Sequence, residues 1–422
     1  IGKDAAILRA YLKRYGAEAA PTDNVAEYML EAIGAGSMPR VGDRDWADIW
    51  EDSPEFAHTK DAIIELKRDR VSASNQAGHK LEKEYASPLY HQMKIVVRRM
   101  FRSFWRSPNY LFTRLFAHIA VALITGLTYL NLDDSKASLQ YKVFVMFQIT
   151  VLPAIIMSQV EIMYAIKRAL FFRESSSKMY STTSFVAAII LAEMPYSVLC
   201  AVCFYLPLYF MPGFQATPSR AGFQFFMVLI TELFSVTLGQ GLSALTPSPR
   251  VSTQFDPFIT ILFALFCGVT IPPSQMPEGW RVWLYQLDPF TRLIGACVTT
   301  ALHELPVVCK SSELNRFTAP NGTTCGDYMA PFFERGASGY LVSNSTQNCE
   351  YCQYGVGDEF YTPLGLSFDH RWRDLGIFLC FVGSNIIILF LGVRTFPLFS
   401  HLFCSIVTSS ANLFFPEQIR QL

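Results

Sequence analysis

Charge is what this sequence has least of. Only 17% of its 422 residues are Asp, Glu, Lys or Arg, against about a quarter in an ordinary soluble domain. The deficit begins after Pro108, which excludes a wholly water-exposed fold for the larger part. The formal net charge is zero, so no basic excess draws a nucleic acid, and none is expected as a partner. A phosphate-cradling G-x-x-x-x-G-K-[ST] loop is absent, and with it ATP hydrolysis by these residues. Gly2-Lys3 has no upstream glycine, and Leu238-Gly239-Gln240-Gly241 lies in an apolar run and reads as helix packing. Ile1 to Gly16 lacks an apolar core followed by small residues, so no signal peptide is expected there. Ile1 in place of Met fits a processed, trimmed or partial chain.

Apolar residues are abundant, at 51%. Six segments, near 111–130, 143–166, 183–211, 222–245, 255–271 and 375–393, are candidates to cross a hydrocarbon core of roughly 30 Å. The expected fold class is an all-α membrane protein: six transmembrane helices, an amphipathic connecting helix and a large disulfide-linked extracellular loop. Pro195 and Pro207 predict a kink or break in the third span. Pro272-Pro273 predicts a re-entrant turn after the short fifth span.

Basic residues set the orientation. Lys94, Arg98, Arg99, Arg102 and Arg106 precede the first span; Lys167, Arg168, Arg173 and Lys178 follow the second; Arg250 precedes the fifth and Arg394 follows the sixth. All fall on one side if both ends are cytosolic, and residues 272–374 then face outward. That stretch holds two glycosylation acceptors, Asn321 and Asn344, each followed by x-Thr. It also holds Cys309, Cys325, Cys349 and Cys352, which read as two disulfides with three possible pairings. Zinc through Cys349-x-x-Cys352 and His303 is the rival; it lacks a second close ligand pair, and no metal site is expected.

Residues 88–107 alternate Met93, Val96, Val97, Met100, Phe101, Phe104 and Trp105 with basic residues at helical spacing, as in an amphipathic helix lying at a membrane surface. Residues 43–87 read as a solvated cytosolic linker. Within the spans, Glu161, Glu193 and Glu232 are acids at a costly depth. They suit a substrate path or proton relay, or simply bonds to a neighbouring Arg, Tyr or Gln; the second reading is preferred because they do not share one face. Arg114 and His118 are expected to snorkel or pair inward. Asp256 is expected to cap the fifth span. Among the 35 phenylalanines, Phe144 and Phe147 on the second span and Phe258, Phe263 and Phe266 on the fifth suit either an apolar cavity or lipid.

Several stretches carry a family resemblance. They are Asn24-Val-Ala-Glu-Tyr-Met-Leu-Glu-Ala-Ile-Gly-Ala-Gly36, Tyr85-Ala-Ser-Pro-Leu-Tyr-His-Gln92, Phe101-Arg-Ser-Phe-Trp-Arg-Ser-Pro108, Phe172-Arg-Glu-Ser-Ser-Ser-Lys-Met-Tyr180, Phe266-Cys-Gly-Val-Thr-Ile-Pro-Pro-Ser274 and Tyr285-Gln-Leu-Asp-Pro-Phe-Thr291. Together they resemble the C-terminal end of a fungal pleiotropic-drug-resistance transporter, a G-type ABC exporter. The resemblance implies these parts: a remnant of the second nucleotide-binding domain at 1–42, a connecting helix at 88–107 and a six-helix transmembrane domain at 108–396. It implies a plasma-membrane protein in which two membrane halves enclose a cavity between their second and fifth spans. Phe144, Phe147, Gln148, Val151, Ile155, Phe258, Ile261, Phe263 and Phe266 would then face a hydrophobic substrate. Arg98, Arg102, Trp105 and Glu174 would transmit motion from the motor. ATP and Mg would be bound by nucleotide-binding domains that, like the first membrane half, lie outside this chain. The tail at 397–422 departs from the family's short basic ending and stays apolar to Phe415; a splice or frame error is the expected cause.

Other readings are a non-transporting scaffold or partner subunit, a surface receptor using residues 275–370, and a proton-driven carrier using Glu161, Glu193 and Glu232. Six spans exceed what an anchor needs, and no inverted repeat supports the carrier.

Overall fold

The computed structural model describes residues 5–18, 24–35, 41–76, 84–320, 322–346 and 348–414. They fall into two units, Ile1–Lys83 and Glu84–Leu422. In the first, α1 (Ala5–Arg14), α2 (Val25–Ala32) and α3 (Trp46–Glu51) precede a long helix, α4 (Pro54–Gln76). Asn24 and Asp45 cap α2 and α3 by accepting from Ala26 N and Ala47 N, which satisfies donors a helix start leaves free. Tyr11, Leu12, Ala17, Ala32 and Trp46 form one small core. The boundary expected at residue 42 therefore moves: Trp46 packs with the residues before it, and the exposed, linker-like stretch starts with α4.

The second unit opens with α5 (Leu89–Trp105), followed by α6 (Pro108–Thr128), α7 (Lys136–Phe147), α8 (Leu152–Ser176), α9 (Thr182–Phe210), α10 (Pro218–Leu245) and α11 (Pro249–Phe266). A 3-10 turn over Gln148–Val151 joins α7 to α8; Pro153, just beyond it, has no N–H to continue the α ladder. Among the described residues, five helical stretches are long and apolar enough to cross a membrane: α6, α7 through α8, α9, α10, and 368–395. The expected fifth span, α11, is less apolar; its 18 residues include Arg250 and Asp256 and reach about 27 Å. Its start at Pro249 puts Asp256 mid-helix, so Asp256 is not the cap expected of it. The expected break in the third span is absent too, since α9 runs on through Pro195 and Pro207.

Small residues bring the spans together. A Cβ on Gly239 would stand 3.2 Å from the Met157 Cα, so α10 packs on α8 backbone to backbone. Gly392 meets Ala244 in the same way, with 2.8 Å to its Cβ.

After α11 the chain turns at Gly268, whose φ is +93°, and forms α12 (Glu278–Leu287) and α13 (Pro289–Leu302). Asp288 caps α13 through Phe290 N, and Pro289 fills its first position. Every α13 residue except Arg292 is buried, in the core that includes Phe234 and Phe378. Residues 272–374 are thus no simple outward loop: 289–302 returns among the spans.

Residues beyond α13 form a cap. The strands β1 (Asn315–Phe317), β2 (Tyr340–Leu341) and β3 (Cys349–Cys352) make an antiparallel sheet in the order β1-β3-β2. Both ends of β3 are tied by disulfides, Cys325–Cys349 and Cys309–Cys352. That choice among the three pairings removes the zinc alternative; His303 instead lies 2.7 Å from Asp358 Oδ1 and stacks on Phe368. Short helices α14 (Cys325–Glu334) and α15 (Gly357–Tyr361) complete the cap. Its Glu313 reaches the start of α7, accepting from Lys136 N at 3.2 Å and Ala137 N at 3.0 Å. The last helix, α16 (Arg371–Phe414), continues through 397–414 of the expected tail; 415–422 lie outside the described residues.

Candidate functional site

Three spans meet at Arg114 of α6, which is fully buried. One guanidinium nitrogen donates to Glu193 Oε2 of α9 at 3.0 Å. The other donates to Glu232 Oε2 of α10 at 2.8 Å and to Ser197 Oγ at 3.1 Å. Tyr110 OH donates to Glu193 Oε1 at 2.6 Å, and His118 Nε2 stands 2.6 Å from Glu232 Oε1. A charge withdrawn from water needs such partners. Glu193 and Glu232 are therefore brought together, although no single helix face carries both. Arg114 and His118 pair inward.

Glu161 lies apart. It is buried on α8 and faces Asp256 and Ser252 of α11. The three intramembrane acids thus form two separate places rather than a relay. Nearby, Arg168 donates to the carbonyls of Ser243, Thr246 and Pro247, closing the end of α10 where backbone acceptors run out of donors.

The expected cavity residues divide. Phe258 and Ile261, on one side of α11, are each 65% exposed. Phe144 on α7 is exposed, and Gln148, Val151 and Ile155 continue its face, each half-buried. Phe147 and Phe263 pack on the main core instead, with Phe263 5.5 Å from the ring of Phe290. Phe266 lies against Trp280 of α12 at 5.7 Å. These three, expected beside a substrate, are half-buried and make ring or core contacts within this chain.

At the basic end, Glu174 receives both guanidinium nitrogens of Arg99, at 2.7 and 2.8 Å, and the hydroxyl of Tyr180. The bond to Glu174 raises Arg99 above the usual guanidinium range, and burial raises the Tyr180 phenol. The partner of Glu174 is thus Arg99, a residue that the expected coupling set of Arg98, Arg102, Trp105 and Glu174 left out. Arg98, Arg99 and Arg102 carry the same side chain, and only the rotation of α5, set by its buried stripe Gln92, Val96, Met100 and Phe104, decides which one points inward. Trp105 is exposed and stacks on Phe101.

In the cap, Asn344 is exposed, and its Oδ1 accepts from Gly326 N at 2.8 Å. Asn321 lies outside the described residues. Beside α7, Asp133 is held well below the usual carboxylate range by Lys310, then by Ser135 and Ser138. No group of three or more His, Cys, Asp or Glu side chains suited to a metal occurs among the described residues.

Comparison with known proteins agrees with this layout. Residues 91–301 match the family described as ABC-2 type transporter. The chain is 60% identical over 395 residues to ABC multidrug transporter I of Aspergillus fumigatus, covering 93% of this chain and 27% of that protein. It is 33% identical to ABC multidrug transporter G of the same fungus, covering 93% of this chain and 29% of the relative. It is also 33% identical to the Brefeldin A resistance protein of Schizosaccharomyces pombe, covering 92% and 26%. The chain spans little more than a quarter of the length of the curated relatives it matches.

Proposed function

Because the chain belongs to the ABC-2 type transporter family, as the membrane half of a fungal G-type transporter, we propose that it serves an ATP-driven exporter of hydrophobic compounds. In this reading its basic end and both termini are cytosolic, the membrane is the plasma membrane, and Asn321 and Asn344 are glycosylated outside the cell. ATP and Mg are bound by nucleotide-binding domains beyond these residues, and the chain alone does not hydrolyse ATP. A first membrane half completes the cavity. The names of the relatives, which speak of multidrug transport and brefeldin A resistance, support drug-like substrates.

One observation carries the reading. Two neighbouring helices, α8 with its leading segment α7, and α11, leave apolar side chains uncovered side by side at the positions expected to line a cavity, while the apolar residues exposed on α6, α9 and α16 suit contact with lipid. Phe144, Gln148, Val151, Ile155, Phe258 and Ile261 form the substrate side, and a facing half would close it. Concave apolar surfaces with few polar groups hold greasy ligands. Coupling to the motor runs through α5, whose Arg98, Arg102 and Trp105 flank Arg99, and through Glu174.

The test is efflux of a hydrophobic dye from cells lacking their own exporters, expressing the full-length protein that carries this chain. Energy-dependent efflux is expected, with Phe258→Ala and Ile261→Ala changing the dye preference several-fold at unchanged protein level. Expression at the surface without efflux of any dye would favour the alternative, a non-transporting scaffold or partner subunit.

A further inference from the structure

The exposed surface of α5 is not uniform. Gln92, Val96, Met100 and Phe104 recur every four residues and face α9. On one flank of that stripe lie Phe101 and Trp105, the latter 67% exposed. Beside them, Arg98, Arg102 and Arg106 also recur every four residues. With Ile95, Arg99, Ser103 and Ser107 they line an open groove of about 730 Å³. Arg99 is committed to Glu174. Arg98, Arg102 and Arg106 have no acidic partner among the described residues, and Lys167 of α8 adds a further cation, donating to Ser103 Oγ at 2.5 Å.

Depth decides what such a groove meets. The 21 residues of α6 begin at Pro108 and supply about 31 Å, one hydrocarbon core. The bilayer boundary therefore lies near Pro108. Arg106 sits two residues before it, and Arg102 and Arg98 follow at intervals of about 6 Å along the helix. A few ångströms beyond the hydrocarbon is the layer of lipid phosphates. Trp105 and Phe101, beside this line of arginines, have the interfacial placing typical of aromatic side chains.

We propose that the Arg98–Arg102–Arg106 groove binds the phosphate of an anionic phospholipid headgroup in the adjacent leaflet. Guanidinium groups present planar pairs of donors that match phosphate oxygens. Three on one helical line can grip one headgroup and hold α5 at a fixed depth. The lipid becomes a ligand of the helix that carries Arg99, and the bilayer's composition bears on the joint at Glu174. The inference needs only the membrane-spanning fold and stands whether or not the chain exports anything.

The test places the full-length protein in phosphatidylcholine nanodiscs containing a photoactivatable phosphatidylserine or, in parallel, a photoactivatable phosphatidylcholine with the same chains. Mass spectrometry then maps labelled peptides. The anionic probe is expected to label residues 95–107 several-fold more than the zwitterionic one. Replacing all three (Arg98→Gln, Arg102→Gln, Arg106→Gln) is expected to lower that labelling on the order of tenfold or more, given the usual weight of each basic residue at an anionic surface. The corresponding three Lys variants are expected to keep most of it. The headgroup comparison needs no variant, so a poorly folding substitution leaves the test intact. Equal labelling by both probes overturns the proposal, as does labelling untouched by the Gln substitutions. Competition by inorganic phosphate at constant ionic strength would mean a free-phosphate site and overturn the lipid assignment. Protein–protein crosslinks from this peptide in place of lipid adducts would overturn it in favour of a docking face.

Discussion

Arg99 grips Glu174 with both guanidinium nitrogens, at 2.7 and 2.8 Å, although 75 residues separate them in the chain. The pair ties α5 to the end of α8. Arg99 is 39% exposed, so solvent screens the pair and its worth to stability is about 1 kcal/mol or less. Glu174→Gln in the full-length protein is therefore expected to leave the melting temperature nearly unchanged. It should lower transport several-fold while ATP hydrolysis persists. Parallel assays of hydrolysis and efflux decide this; equal loss of both would mean that the pair has no coupling role.

The Arg114 network predicts the opposite balance. Arg114→Leu leaves Glu193 and Glu232 buried without their shared counter-charge, and breaking a buried pair costs about 3–5 kcal/mol. A drop in melting temperature and in surface expression should follow. Adding Glu193→Gln and Glu232→Gln should recover much of the loss, since no unpaired charge remains. Thermal unfolding of the single and triple variants in detergent measures both.

Two glycines of α10 should respond with opposite sign. A side chain at Gly239 meets the Met157 backbone at 3.2 and 3.3 Å, where neither helix can give way cheaply. Gly239→Leu should cost about 1–3 kcal/mol through forced separation of α10 and α8. Gly222 has nothing within 4 Å of a built Cβ, and Gly222→Ala should stabilise by up to about 1 kcal/mol through helix propensity. Melting temperatures of the two variants give the comparison.

Each disulfide of the cap closes a different length of chain. Cys325–Cys349 spans 24 residues and Cys309–Cys352 spans 43. By chain entropy their loss is worth about 3.5 and about 4 kcal/mol. Cys309→Ser with Cys352→Ser should therefore expose the cap to limited proteolysis at least as readily as Cys325→Ser with Cys349→Ser. The cleavage pattern of intact membranes checks the order.

Acid should loosen the junction of cap and α7. Asp133 titrates near 3.9 in an unfolded chain, and in the folded protein Lys310, Ser135 and Ser138 hold it lower. The folded state then binds fewer protons in that window. Its stabilisation is full above the unfolded value and is lost as pH falls through the folded one. Protection of the amides at 133–138, taken relative to their intrinsic exchange at each pH, should be steady above about pH 5 and fall only at lower pH. Asp133→Asn should show the weaker protection at neutral pH, with the difference closing as the wild-type carboxyl group is protonated.

The pattern of long apolar segments was enough to place α6, α8, α9, α10 and α16, because span length and hydropathy are local properties. The buried acids were legible as a class, since Arg114 and His118 on the first span were expected to pair inward; Tyr110, just before that span, was not singled out. Their geometry was not, because Glu193 and Glu232 converge on Arg114 from separate helices, and helical rotation is set by packing. Asp256 is the clearest miss. Read as a cap from the Asp-Pro pair, it sits inside α11 facing Glu161, and an acid in an apolar run could have been weighed as a partner. Residues 289–302 were hidden for a related reason. The segment is short, lies between prolines and cysteines, and is recognisable as buried only when α16 and α10 are seen around it. Phe263 and Phe266 show the limit of composition, for a phenylalanine facing a cavity and one facing a neighbouring helix are the same letter.

Glu313 gives the cap a second character. By accepting from Lys136 N and Ala137 N, a residue of the cap finishes the first turn of the helical rod that carries Phe144 and, 38 residues on from Lys136, ends with Glu174 at the opposite end of the molecule. The rod is thus clasped at both extremities, by Glu313 above and by Arg99 below. On the proposed orientation, an antibody fragment that immobilises the cap from outside is expected to act as a brake on the far side of the bilayer.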